Sequence, residues 1–170
     1  MSISRRTFLM TSLALPFAQT ASAASIGEPA PAFEGLENWI NSKPVAIDAL
    51  RGRVVLVDFW TFACSNCVNT LPWLTDWHQT LEPKGLTIVG VHTPEFPFER
   101  DLNALRKAVS RHGILYPVAQ DNRYQTWKAY RTRYWPTAIL IDRSGRIVQY
   151  HEGDGGLGAF GTQIKQLVEA

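Results

Sequence analysis

One stretch constrains this chain more than any other. Arg53 to Trp60 contains Val-Val-Leu-Val-Asp-Phe, a near-continuous apolar run. It leads into Cys64-Ser65-Asn66-Cys67, and Ser65 to Leu81 then places Leu71, Leu74, Trp77 and Leu81 at helical spacing. A run apolar on both faces suits a central parallel strand covered on each side. The cysteine pair therefore falls where a buried strand turns into a helix. Only two cysteines are present, which excludes a disulfide-stapled scaffold and a four-cysteine zinc or iron–sulfur site.

The remaining elements follow from periodicity. Leu86 to Val91 predicts a second buried strand. Glu99 to His112 predicts an amphipathic helix with Leu102, Leu105 and Val109 on one face. Its acids, Glu99 and Asp101, come first and its bases last, as the helix dipole favours, and Gly113 fits a C-cap. A short strand over Tyr116 to Ala119 and a helix over Tyr124 to Arg133 come next. Thr137 to Ile141 and Arg146 to Tyr150 flank Asp142-Arg143-Ser144-Gly145, a hairpin turn. Phe160, Ile164 and Leu167 mark a terminal helix. The order is β-α-β-α-β-α-β-β-α: parallel strands first, then an antiparallel hairpin. Pro72 lies within the helix after the cysteines, where it predicts a kink.

The N-terminus reads as an address. Arg5-Arg6 is followed by an apolar run from Phe8 to Ala18, then Ala21-Ser22-Ala23, a small-residue cleavage pattern. The run is too short to span a bilayer, which needs about 20 residues. Ser4-Arg5-Arg6-Thr7-Phe8-Leu9 resembles the twin-arginine signal. Residues 1–23 are thus expected to be a signal peptide, 24–44 an extended lead-in stiffened by Pro29 and Pro31, and 45–170 the folded domain. The formal charge of +2 belongs to Arg5 and Arg6: without them 15 basic residues balance 15 acidic ones. A charge this small argues against a nucleic-acid partner.

C-x-x-C at a strand-to-helix turn reads as a redox motif. Cys64 at the helix N-terminus meets unpaired N–H groups and the dipole, which favour the thiolate, the reactive form. Cys67 lies one turn deeper. Cys64 is expected to attack a substrate disulfide and Cys67 to resolve the mixed disulfide. The alternatives are a structural bridge, which gains little by closing so tight a loop, and half of a metal site. His78, His92, His112 and His151 form no ligand spacing with the pair, and no metal or other cofactor is expected beyond the redox-active Cys64–Cys67 disulfide.

Val57-Asp58-Phe59-Trp60-Thr61-Phe62-Ala63-Cys64-Ser65-Asn66-Cys67 resembles the active-site strand and turn of thioredoxin-like proteins. Trp135-Pro136-Thr137 resembles their cis-proline loop. The inserted helix–strand pair between about Glu99 and Ala119 is similar to the exported TlpA/ResA-like branch. Gly90-Val91-His92-Thr93-Pro94-Glu95-Phe96-Pro97 looks closer still to the thioredoxin-like domain of DipZ-type proteins. The resemblance covers residues 26 to 168. It departs from the family pattern in Ser65-Asn66 between the cysteines and in Trp135 before the proline.

The resemblance implies a thioredoxin-like α/β fold: a central mixed sheet, flanking helices and the inserted pair. It implies an exported, periplasmic thiol–disulfide oxidoreductase, acting as a reductase of protein disulfides. Asp58, a carboxyl in a buried strand, has a pKa raised by burial and is expected to accept the Cys67 proton. Trp135, Pro136, Trp60 and Phe62 are expected to bind substrate, and Glu95 to serve as an auxiliary acid. The implied partners are disulfide-containing clients and a membrane electron donor of the DsbD/CcdA type, with the protein a monomer. Two other functions compete: a thiol peroxidase, and a non-enzymatic copper- or client-binding protein.

Overall fold

A computed structural model describes residues 24–170; the expected signal peptide and its Ala21-Ser22-Ala23 cleavage site lie outside the described residues. Six strands form one mixed sheet: β1 (Glu37–Ile40), β2 (Val54–Trp60), β3 (Leu86–His92), β4 (Val118–Gln120), β5 (Thr137–Ile141) and β6 (Ile147–Glu152). Their order across the sheet is β1-β4-β3-β2-β5-β6. β2 pairs parallel with β3, and β3 with β4, because a helical crossover returns the chain each time. β5 runs antiparallel to both β2 and β6, giving the mixed sheet expected. Among the described residues four α-helices flank it: α1 (Ser65–Leu81), α2 (Leu102–Arg111), α3 (Gln125–Ala129) and α4 (Leu157–Glu169).

The strand period of two divides the core. Val54, Leu56 and Trp60 of β2 pack on one face with Leu71, Leu74 and Trp77 of α1, Leu105 of α2 and Phe160 of α4. Val55, Val57 and Phe59 point the other way, where Tyr130, Phe33 and Trp39 cover them. β2 is buried along its whole length, as its apolar run predicts.

Three boundaries differ from those expected by more than two residues. The first concerns residues 24–44, which belong to the sheet domain. Glu37–Ile40 pairs antiparallel with β4 as an edge strand, Gly27 and Ala30 donate backbone bonds to Ile147 and Gly145, and Ala24 is buried on the second face. Short polar-interrupted segments carry little periodicity, so the pairing is decided by the partner strand. The second is α2, which starts at Leu102 because the Asp101 carboxylate caps it, accepting from Ala104 N at 2.7 Å. Glu99 is left in a 3₁₀ turn, Pro97–Arg100. The third is α3, which spans only Gln125–Ala129 because Tyr124 and Arg131 both take positive φ. Gly113 does terminate α2, with φ +63° and Ile114 N bonded to Val109 O at 3.0 Å.

Candidate active site

Cys64 is the N-cap of α1. Its φ and ψ are extended, and its Sγ accepts the Cys67 backbone N–H at 3.2 Å. The thiol thus occupies the spot where a helix offers unpaired donors. Cys64 is half-buried and Cys67 fully buried, both as free thiols. Burial pushes the Cys67 thiol far up, its hydrogen bond with Cys64 adds to this, and the charge of Asp58 contributes less. Cys67 therefore needs a proton acceptor to become a nucleophile.

Asp58 lies beneath the pair, on the α1 face of β2. It is 1% exposed, and neither carboxylate oxygen has a hydrogen-bond partner. Burial raises its pKa to about 7. A carboxyl poised there can take or give a proton near neutral pH. Desolvation likewise pushes Tyr116 well up, helped by the Asp58 charge.

The Trp135–Pro136 peptide is cis. Trp135 is half-buried; its ring stacks on Trp127 with centroids 4.2 Å apart, and its Nε1 donates to Thr93 O at 3.0 Å. Both Trp135 and Phe62 pack on the core cluster that includes Cys67, alongside Cys64. Phe62 stacks on His92 at 5.3 Å and meets the exposed Phe98.

Two expected site residues sit elsewhere. Trp60 is fully buried, because it shares the α1 face with Leu56 two strand periods away; it packs edge-on to His92 and lines no accessible groove. Glu95 is exposed, and its backbone N–H is what joins the hydrogen bonds around the cysteine turn. The acid beside the cysteine turn is Glu99. Fully buried, it accepts from Thr61 Oγ1, from Ala63 N at 3.1 Å, from Glu95 N at 2.6 Å and from Phe96 N at 2.7 Å. It ties the segment just before Cys64 to the loop after β3. His92 joins the same network, its Nε2 lying 3.2 Å from Thr61 Oγ1; burial lowers its pKa to about 4, against the opposing charge of Glu99. The sequence does carry a signal for Glu99. It stands three residues after Phe96 with Pro97 between, the spacing at which an acid reaches back to cap a turn.

The sequence pattern of the AhpC/TSA family matches residues 26–150. DipZ of Mycobacterium tuberculosis is 41% identical over 142 residues, which is 82% of this chain and 20% of DipZ. Thiol-disulfide oxidoreductase ResA of Bacillus anthracis is 26% identical over 129 residues, 76% of this chain and 70% of ResA. A solved thiol-disulfide isomerase from Corynebacterium glutamicum superimposes with a TM-score of 0.73 at 29% identity, covering 83% of this chain and 97% of that one. The chain spans about a fifth of the length of the DipZ proteins it matches.

Proposed function

The chain belongs to the AhpC/TSA family of thioredoxin-like proteins, and from that premise we propose that it reduces protein disulfides with the Cys64/Cys67 pair. The observation that carries this reading is the asymmetry of the two thiols. Cys64 is accessible and sits on donors at a helix start; Cys67 is buried one turn on, beside a carboxyl with a pKa of about 7. Cys64 thiolate attacks a client disulfide, forming a mixed disulfide and releasing one client thiolate. Cys67 loses its proton to Asp58, attacks Cys64 Sγ, and releases the second client sulfur as a thiolate as the Cys64–Cys67 disulfide forms. Two electrons pass to the client. The pair itself is the redox centre, and no added cofactor enters the step. Trp135 and Phe62, both half-buried, form the rim against which the client chain lies, and Pro136, expected to bind substrate, is buried behind them.

Export belongs to the same reading. Residues 1–23 have the layout of a twin-arginine signal peptide cleaved after Ala23, which sends the folded domain to the periplasm. A membrane donor of the DsbD/CcdA type then returns the pair to its reduced state, and the protein works as a monomer.

The test is a pair of variants. Cys64→Ser is expected to abolish disulfide reduction. Cys67→Ser is expected to accumulate mixed disulfides with clients, identified after trapping in extracts. Mixed disulfides on Cys64→Ser instead would reverse the two roles. A potential near −120 mV, that of a strong oxidant, would overturn the reductase direction. Peroxide turnover faster than disulfide reduction would move the protein to the peroxidase class, and tight copper binding without reductase activity to the binding class.

A further inference from the structure

Strand register sets a second titratable group on the face that carries Asp58. Asp58 of β2 lies opposite Ala138 of β5, and Ala138 lies opposite His151 of β6. Directly opposed residues of antiparallel strands share a face. Asp58 and His151 therefore stand on the same face, two strand spacings or roughly 10 Å apart at the backbone. The residue between them is an alanine, whose lone methyl leaves the space over it open. A cavity of about 10 Å³ lies there, lined among others by Asp58, Ala138, His151, Thr70 and Pro136. It has room for about one water molecule.

Both titratable groups present unpaired polar atoms. The two Asp58 oxygens and His151 Nε2 are buried without a hydrogen-bond partner. His151 is held in place by its other side: its ring stacks on Phe160 of α4 at 4.5 Å, 13° from parallel. The residue as a whole is half-exposed while Nε2 is buried, so Nε2 belongs to the inner side of the ring. With the ring proton on Nδ1, Nε2 is the acceptor.

We propose that His151 is the proton outlet of the site, passing the proton of Asp58 through a water in this cavity to solvent. The inference rests on the disulfide-reductase reading above. When Cys67 Sγ attacks the mixed disulfide, its proton goes to the Asp58 carboxylate. The Cys64–Cys67 bond forms, the Cys64–client bond breaks, and the client leaves as a thiolate. Asp58 then gives the proton by way of the water to His151 Nε2, and the half-exposed imidazolium loses its Nδ1 proton to solvent. Re-reduction runs the route backwards. His151 acts through Asp58 and touches no substrate. The other titratable groups facing Asp58 are Cys67 from α1 and Tyr116 from the segment before β4. His78 of α1 lies against Tyr116, at 5.8 Å. Near His151, Glu152 is exposed and Asp154 accepts from Asn69 at 2.9 Å. Burial lowers the pKa of His151, which suits a group that accepts a proton briefly and lets it go.

Single-turnover oxidation of the reduced protein by dithiobis(nitrobenzoate) separates the two steps optically. The first thionitrobenzoate marks attack by Cys64, the second marks resolution by Cys67. His151→Gln is expected to slow the second phase about tenfold near neutral pH. Added imidazole is expected to restore it, which a merely structural role would not allow. Ala138→Val closes the cavity without changing either titratable group, and is expected to slow the same phase. His151 is half-exposed, so His151→Gln carries the test even where Ala138→Val does not fold. A second phase unchanged in His151→Gln, or slowed with no imidazole recovery, overturns the outlet. If the wild type shows both phases, that result leaves the proposed function standing. If the wild type shows no second phase, the proposed function fails first.

Discussion

Two buried carboxylates lie on either side of the cysteine turn, and they have opposite surroundings. Asp58 has no hydrogen-bond partner, and burial holds its pKa at about 7. Glu99 is just as buried, yet four donors converge on its two oxygens. Burial alone therefore does not tell what a carboxyl does. Removing water raises the cost of charge, and donors offset that cost. The bare carboxyl is free to change protonation during a reaction. The saturated one is a clasp that fixes the backbone at Ala63, one residue before Cys64.

The contrast breaks if the two residues respond alike to loss of charge. The largest expected effect is at Asp58. A raised carboxyl pKa favours the folded state while the group is protonated. That contribution is complete below the unfolded value near 3.8 and is lost as pH rises through about 7. Asp58→Asn removes the dependence. Its stability advantage over wild type is expected to grow from about pH 4 to pH 8 by roughly 4 kcal/mol, read from urea unfolding across pH. A constant difference across that range would mean that Asp58 does not carry the charge cost.

At Glu99 the sign is opposite. Glu99→Gln puts an amide N–H₂ among donors and leaves some of Thr61, Ala63, Glu95 and Phe96 unpaired. A loss of roughly 3 kcal/mol is expected in the same unfolding measurement, with slower disulfide reduction as the turn before Cys64 loosens. A neutral Glu99→Gln would sink the clasp.

His92 sharpens the comparison, since its slope runs against that of Asp58. A histidine pKa lowered to about 4 gives stability that is present above 6.5 and lost as pH falls towards 4. In the wild type the two slopes oppose one another between about pH 4 and 6.5. Asp58→Asn is therefore expected to unmask a rise in stability of roughly 3 kcal/mol over that interval. A flat profile in that variant would remove His92 from the account. The smallest effect is expected at Phe98, which is 60% exposed. Phe98→Ala should change stability by no more than about 0.5 kcal/mol, so any larger change in client reduction reports on contact with the client.

Much of the fold was legible because it depends on local period. The run Val54–Trp60 marks a central strand, and the strand-to-helix turn places Cys64 at an N-cap. Asp58 stood out as the one acid in that apolar run. Trp60 and Glu95 show where such reading stops. Trp60 is near the cysteines in sequence, but both faces of β2 are covered along its whole length, so its ring is core. Two acids four residues apart, Glu95 and Glu99, look equivalent on paper. Only the packing of the loop after β3 against Thr61 and Ala63 decides which enters the site. The edge strand Glu37–Ile40 escaped notice for a related reason: four residues with no alternation have no period to read.

The sequence by itself determined the reactive pair, the strand that delivers it and the helix that caps it, because each rests on neighbours within a few residues. The tertiary structure alone decided how the two buried acids differ, since that depends on donors brought from distant segments. It also decided the row Asp58–Ala138–His151, which joins residues far apart in the chain through strand register. Register is set by which strands pair, and pairing is a property of the whole sheet.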